Sequence, residues 1–334
     1  MVDLNFNSDL IQAIAQHRTP LATALFQLFS LLGEIDGYIL VVTAIYSAFD
    51  KRLAFRLGVL ALVAMSINHV MKTIIANPRP FVADGSFSQN WAVSEAKSME
   101  LAAEYSTPSG HAMAGGGFYT FLYASVKSRW VKFLAVAALL LTGISRPYLG
   151  VHYMEDILLG WPIGIALALL ALRLGEPVGD LWFRLSTAKQ VMIVVLLSAA
   201  VVAGTAPLYA AAPLGQPLPF VSYLGLLSGL CVAHPLEIRF VGFDPRSSTL
   251  LLKMTRVALG VTLVMGILLS LDLLFAAMAT DGSVLGNALR YLRYFAAGFG
   301  GMFAAPYLYV RLGWADAVQR GAAAAVAQRA PGEA

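Results

Sequence analysis

Three short stretches concentrate polar residues in an otherwise apolar chain. In the first, Lys72 and Arg79 stand seven residues apart, so they share a face for as long as a helix lasts, and Pro78 and Pro80 then end it. In the second, Thr107-Pro108-Ser109-Gly110-His111, either Thr107 or Ser109 can cap a new helix. The free N–H groups of that helix start would make an anion site, and Gly110 lets the backbone approach closely. In the third, Ser145-Arg146 precedes His152 and Asp156, which lie one helical turn apart, so that the carboxylate can orient the imidazole. Together they supply fixed cations, a hydroxyl, backbone donors and two histidines. Phosphoryl transfer needs positive charge around the equatorial oxygens, an in-line nucleophile and a proton donor for the leaving oxygen. Each has a candidate here, and neither a metal nor another cofactor is required.

Membrane helices must position these stretches. The chain is 58% hydrophobic and only 13% charged, with a positive mean hydropathy, outside the range of a soluble globular domain. Apolar runs long enough to cross about 30 Å of hydrocarbon recur along it. They predict helices over 20–33, 36–49, 53–76, 109–127, 130–146 and 153–174, then 188–208, 219–235, 250–279 and 289–312. The first two runs are short and separated only by Gly33 to Gly37, which suits tilted, interfacial or re-entrant segments. The expected fold is all-α and integral to the membrane. It divides into an interfacial or cytoplasmic segment (1–19), a six-helix transmembrane core (20–175), about four further transmembrane helices (186–312) and an Ala-rich cytoplasmic tail (313–334).

Basic residues set the orientation. Lys51, Arg52 and Arg56, then Lys127, Arg129 and Lys132, then Arg173, Arg184 and Lys189 mark loops on one side, and Arg239, Arg246, Lys253, Arg256, Arg311 and Arg320 continue the series. By the positive-inside rule these loops and both termini are expected in the cytoplasm, with the three polar stretches at the outer face. The long outer loop 77–108 mixes Asp84, Glu95, Glu100 and Glu104 with Phe81, Phe87 and Trp91, the composition of an ordered loop that touches the interface. The net charge of +4 is spread over these topological clusters, which argues against nucleic acid as a partner. One cysteine, Cys231, excludes an intramolecular disulfide and a thiolate metal cluster.

Lys72 with Arg79-Pro80, Pro108-Ser109-Gly110-His111, and Ser145-Arg146 with His152 and Asp156 resemble the three signatures of the type 2 phosphatidic acid phosphatase (PAP2) family. The match covers about residues 20 to 174. The resemblance implies a six-helix catalytic core in which His152 attacks phosphorus to give a phosphohistidine, Asp156 orients it and His111 protonates the leaving group. Lys72, Arg79, Ser109, Gly110 and Arg146 would hold the phosphate. It says nothing of the helices after about residue 185. It implies a lipid phosphate or diphosphate phosphatase of the cytoplasmic (inner) membrane with its site facing the periplasm. A polyprenyl (di)phosphate or a glycolipid phosphate is the preferred substrate.

The alternatives are a phosphatidylglycerophosphate or phosphatidic acid phosphatase, a lipid phosphotransferase with the same residues, or a lipid transporter or scaffold motivated by the additional helices. Outside the motifs, His69 reads as structural, and Asp156 has a rival role in pairing with Arg146. Asp272, inside an apolar run, suits either a functional role or hydrogen bonding between helices. Arg290 and Arg293 lie on the outward side, against the charge rule, where they suit an anionic headgroup or interfacial snorkelling.

Overall fold

The computed structural model describes residues 4, 6–83, 92–93, 101–102, 104–210, 219–246, 248–280 and 283–317, with side chains left aside for 206–210 and 219. Most of the acidic and aromatic outer loop, including Asp84, Phe87, Trp91, Glu95 and Glu100, lies outside the described residues, as does the tail from 318. In chain order the helices are α1 (Asp9–Gln16), α2 (Pro20–Leu31), α3 (Ile35–Ala48), α4 (Lys51–Ile75), the short α5 (Pro80–Ala83), α6 (Gly110–Ser125), α7 (Arg129–Tyr148) and α8 (Met154–Arg184). A further set follows: α9 (Thr187–Ala210), α10 (Pro219–Phe240), α11 (Leu250–Ala276), α12 (Val284–Phe299), a π-helical turn (Gly300–Ala304) and α13 (Ala305–Arg311). The described residues contain no β-strand beyond one isolated bridge, Phe243 to Ala317. The chain is an all-helical integral membrane protein. Six of its described helices are long and apolar enough to cross a membrane, or seven if the bent pair α2 and α3 is one span.

Every predicted apolar run forms a helix, and the departures have local causes. Asp50 caps α4 by accepting the Leu53 N–H at 3.0 Å. That helix ends at Ile75 because Ala76 takes a left-handed conformation (φ 53°), so Arg79 lies beyond the helix and reaches the site by a turn, not by sharing a helical face with Lys72. Helix α8 runs ten residues past its expected end at 174, straight through Pro177. There Glu176 pairs with Arg52 at 2.5 Å and with Arg56 at 2.6 Å.

The larger correction concerns the N-terminus. Helix α2 bends 61° against α3 and does not run the depth of the bundle. At its start, Arg18 Nε donates to the Tyr148 carbonyl at the far end of α7 (2.8 Å); at its end, Ser30 accepts from Arg146 near that same end (2.6 Å). Leu4 N–H donates to Asn77, and Phe6 packs edge-on against Tyr153. Leu4 and residues 6–18 therefore sit with the three polar stretches, opposite the basic loops, and not beside the described end of the chain near 317 as the charge pattern had suggested.

The later helices are welded to the earlier ones. One apolar cluster takes in Tyr38, Val42, Leu57 and Phe118 from the first half and Leu226, Val264, Ala297 and Tyr309 from the second. At the basic end, Lys51 Nζ pairs with the fully buried Glu237 of α10 at 2.9 Å, and Tyr46 Oη donates to the same carboxylate at 3.3 Å. Helices α10 and α12 meet along small residues: a Cβ on Gly229 would lie 2.3 Å from the Phe295 carbonyl, the close backbone approach typical of membrane helix pairs. Outward faces carry exposed Leu169, Leu196, Leu250 and Leu273, which suits a lipid surround.

Candidate active site

Six of the eight residues singled out from the sequence line one cleft of about 200 Å³: Lys72, Arg79, Gly110, His111, Arg146 and His152. The other two, Ser109 and Asp156, are fully buried just behind it.

His152 sits in the turn that leads from α7 into α8. Its Nδ1 faces Asp156 Oδ2 and Ser106 Oγ, each at 3.2 Å, and its Nε2 faces the cleft, 3.1 Å from Arg79 Nη1. Asp156 is held on all sides. It accepts from the Tyr153 N–H (2.9 Å), from Thr107 Oγ1 (2.5 Å) and from Ser106 Oγ, while its own carbonyl accepts the Ser109 N–H at 3.1 Å. A carboxylate so fixed can hold only one edge of the imidazole, which leaves the Nε2 lone pair for the cleft. The rival pairing of Asp156 with Arg146 does not form, since Arg146 Nη1 turns to Ser30. Burial, reinforced by the cations Arg79, Lys72 and Arg146, pushes the His152 imidazole well below its ordinary pKa, so the neutral form prevails.

His111 stands on the first turn of α6, where Ser109 caps the helix by accepting the Ala112 N–H at 3.5 Å. The Ser109 hydroxyl is thus engaged in the cap and does not line the cleft. On its open side His111 Nε2 meets Ser30 Oγ at 3.4 Å and Glu34 at 3.9 Å. Gly33 makes this possible, because a Cβ there would lie 2.6 Å from the His111 ring. Helices α2 and α3 therefore supply a hydroxyl and a carboxylate to the second histidine.

Glu104 is the residue the sequence reading did not assign. Its carboxylate accepts from Lys72 Nζ at 3.3 Å and from Arg79 Nη2 at 3.0 Å, while its carbonyl accepts from Arg79 Nε at 3.2 Å. Burial raises its pKa, but the two cations overcome that and hold it down at about 2. A negative charge thus occupies the cationic wall of the cleft. Ser106, Ser30 and Glu34 were likewise missed, with only the position of Ser106 beside the second polar stretch as a hint, and Thr107, read there as a possible cap, instead donates to Asp156.

His69 and Tyr223, the latter from α10, complete the polar rim, and His69 stacks on Phe220 at 5.9 Å. Asp272 of α11 and Arg293 of α12 form an ion pair elsewhere and line a separate cleft with Arg290. Among the described residues no three His, Cys, Asp or Glu side chains converge to hold a metal ion.

Comparison with known proteins matches residues 53–179 to the PAP2 superfamily and residues 221–317 to the PAP2 superfamily phosphatase, transmembrane extension. The undecaprenyl-diphosphatase of Sulfolobus acidocaldarius is 28% identical over 175 residues, 52% of this chain and 80% of that protein. Phosphatidylglycerophosphatase B of Bacillus subtilis is 32% identical over 85 residues, 23% of this chain and 42% of that protein. The crystal structure of Aquifex aeolicus LpxE superimposes with a TM-score of 0.44 at 24% identity, over 52% of this chain and 99% of that one.

Proposed function

The chain belongs to the PAP2 superfamily of membrane-bound phosphatases, and from that premise we propose that it dephosphorylates a lipid phosphate or diphosphate through a phosphohistidine on His152, at the periplasmic face of the inner membrane. The observation that carries this reading is the setting of His152, with Nε2 turned to a cleft walled by Lys72, Arg79 and Arg146 and Nδ1 held by Asp156. The S. acidocaldarius relative, named for undecaprenyl diphosphate, supports a polyprenyl diphosphate as substrate over a glycolipid phosphate. The basic loops at the opposite end of the bundle support the periplasmic placement.

In the first step the His152 Nε2 lone pair forms a bond to phosphorus as the bond from phosphorus to the lipid oxygen breaks, and the departing oxygen takes a proton from His111. Lys72, Arg79 and Arg146 neutralise the charge that spreads over the equatorial oxygens, with the N–H groups at Gly110 as further donors. Arg79 shields the Nε2 lone pair in the resting site, and arriving phosphate oxygens draw that guanidinium to themselves. In the second step water attacks phosphorus, His111 accepts its proton, and the N–P bond breaks. Glu34 Oε1 lies 3.9 Å from His111 Nε2, at the edge of the ring that exchanges the proton.

Rapid quench with phosphorus-labelled lipid substrate, followed by alkaline work-up that spares phosphoramidates, tests the scheme. His152→Ala is expected to abolish both turnover and the labelled adduct. Asp156→Asn should slow adduct formation by roughly three to four powers of ten, the loss seen when an amide replaces the carboxylate that fixes an imidazole tautomer. His111→Ala should lose about two to four powers of ten, most with a poor leaving group. Substantial turnover in His152→Ala would refute the mechanism.

A further inference from the structure

The PAP2 superfamily extension contributes more than a lipid-facing surface. A second, almost wholly apolar cavity with about 50 Å³ of free space lies between α3 and α4 on one side and α10, α11 and α12 with its π-turn on the other. Two residues, Ile35 and Met65, line both this cavity and the catalytic cleft. The phosphate site and the apolar groove therefore adjoin at two apolar side chains. From Ile35 the groove follows α3 to Tyr46, eleven residues and so about 16 Å along the helix. Its far end is closed by a buried polar floor: Tyr46 Oη meets His234 Nδ1 at 3.2 Å and donates to Glu237, which Lys51 neutralises. Gly58, Ala61, Ala297, Gly298 and Gly301 line its walls, and Cβ atoms on Gly58, Gly298 and Gly301 would meet Leu230 at 3.1 Å, the Leu226 carbonyl at 2.7 Å and Val264 at 3.0 Å, so small residues bring the helices close around the groove.

We propose that this groove between the catalytic core and the extension receives a single hydrocarbon chain of the lipid phosphate whose headgroup reacts at His152. This rests on the phosphatase reading above and deepens it. Three observations choose this occupant. The groove adjoins the cleft at Ile35 and Met65 and ends on a buried polar floor; its narrow free space, lined almost wholly by apolar side chains, suits one slender chain and not a paired headgroup region. The extension also reaches the cleft itself through Tyr223. A tail leaving the bilayer for this groove exchanges one apolar surround for another, so the groove adds little affinity. What it adds is selection: the chain is aligned with its phosphorus at His152, and a tail that is bulky near the headgroup is excluded.

The test has two arms on the full-length protein in detergent. Ala61→Leu, a filling change in the groove wall remote from His152, is expected to lower kcat/KM on a long single-chain lipid phosphate about tenfold, the scale of overpacking, while a short-chain water-soluble phosphate ester reacts as before. In the second arm, wild-type protein is irradiated with a non-hydrolysable lipid phosphonate carrying a diazirine at its chain end, and the labelled peptides are mapped. Label on Val42, Leu230 or Met302 is the expected result. Label confined to the outward faces of α7, α8 and α9, or wild-type rates on both substrates in Ala61→Leu, would overturn the groove while leaving the phosphatase reading intact. Equal loss on both substrates would mark a folding defect, and the labelling arm then decides. Failure of the phosphatase reading looks different: wild-type protein would release phosphate from neither substrate, whatever the labelling shows.

Discussion

Glu104 places a carboxylate on Lys72 and Arg79, the two cations to which the proposed mechanism assigns the arriving phosphate. Because Lys72 and Arg79 hold its pKa at about 2, against the ordinary 4.5, its charge is complete at every pH above the ordinary value and is lost only as pH falls through about 2. Incoming phosphate has to compete with a resident anion for the same two cations. Glu104→Gln removes that competitor without changing shape, so vanadate, which imitates five-coordinate phosphorus, is expected to inhibit the variant about tenfold more tightly than wild type. The wild-type Glu104 charge itself is unchanged between about pH 5 and 8, since it does not titrate there. Weaker inhibition would mean that Glu104 chiefly arranges the cations. His152 allows a complementary check. With its pKa well below the usual value, the neutral nucleophile persists, so the rate of adduct formation should stay level from about pH 7.5 to about 6, where an ordinary imidazole is mostly protonated. A rate that falls with an ordinary histidine titration contradicts the shielding by burial. Lys72, Arg79, His111, Arg146, His152 and Asp156 were legible in the sequence because spacing within three stretches carries information. Glu104, Ser30 and Glu34 were not, because a polar residue in a loop or at a helix end has no periodicity that separates a site from a solvated surface.

At the scale of elements, the site depends on two helices from different parts of the sequence holding a fixed register. Helix α6 brings His111 and helix α8 brings Asp156, and they meet where a Cβ on Gly164 would lie 2.1 Å from the Met113 carbonyl and 2.8 Å from the Gly117 nitrogen. Backbone cannot yield as a side chain can, so Gly164→Ala must push the helices apart. The expected cost is about 1–3 kcal/mol of stability together with a large loss of activity, read as a lower melting temperature in detergent and a reduced kcat. Gly179→Ala on the same helix is the control, having nothing within 4 Å of an added Cβ. Equal effects of the two would deny the register its role. Such contacts explain where the sequence reading stopped. Each apolar run announced a helix, because twenty residues without charge have few other fates in lipid. Whether a run crosses is a matter of neighbours: α2 is only 12 residues long, and its placement follows from Arg18 reaching Tyr148 and from Ser30 reaching Arg146.

Taken whole, the molecule has two chemically different ends. One carries the basic loops around Lys51, Lys127 and Arg184, with Arg246 on Asp50 and the chain near Ala317 beside Phe243. The other carries the cleft, the described residues of the 77–108 segment and, because α2 does not cross, the N-terminal segment. Positive loops are retained in the cytoplasm, so the cleft and the N-terminus should both face the periplasm while the C-terminal end of α13 faces inward. This differs from a simple count of ten crossings, which returns both termini to one side. Single cysteines in a Cys231→Ser background distinguish the two arrangements. Val93→Cys beside the cleft and Ser8→Cys before α1 are expected to react with a membrane-impermeant maleimide on intact spheroplasts, and Ser128→Cys only after permeabilisation. Labelling of Val93→Cys only from the cytoplasm would invert the molecule and remove the periplasmic substrate. Labelling of Ser8→Cys only after permeabilisation, with Val93→Cys accessible from outside, would mean that α2 and α3 cross separately, and the contacts of Arg18 with Tyr148 and of Leu4 with Asn77 could not then coexist with the native topology.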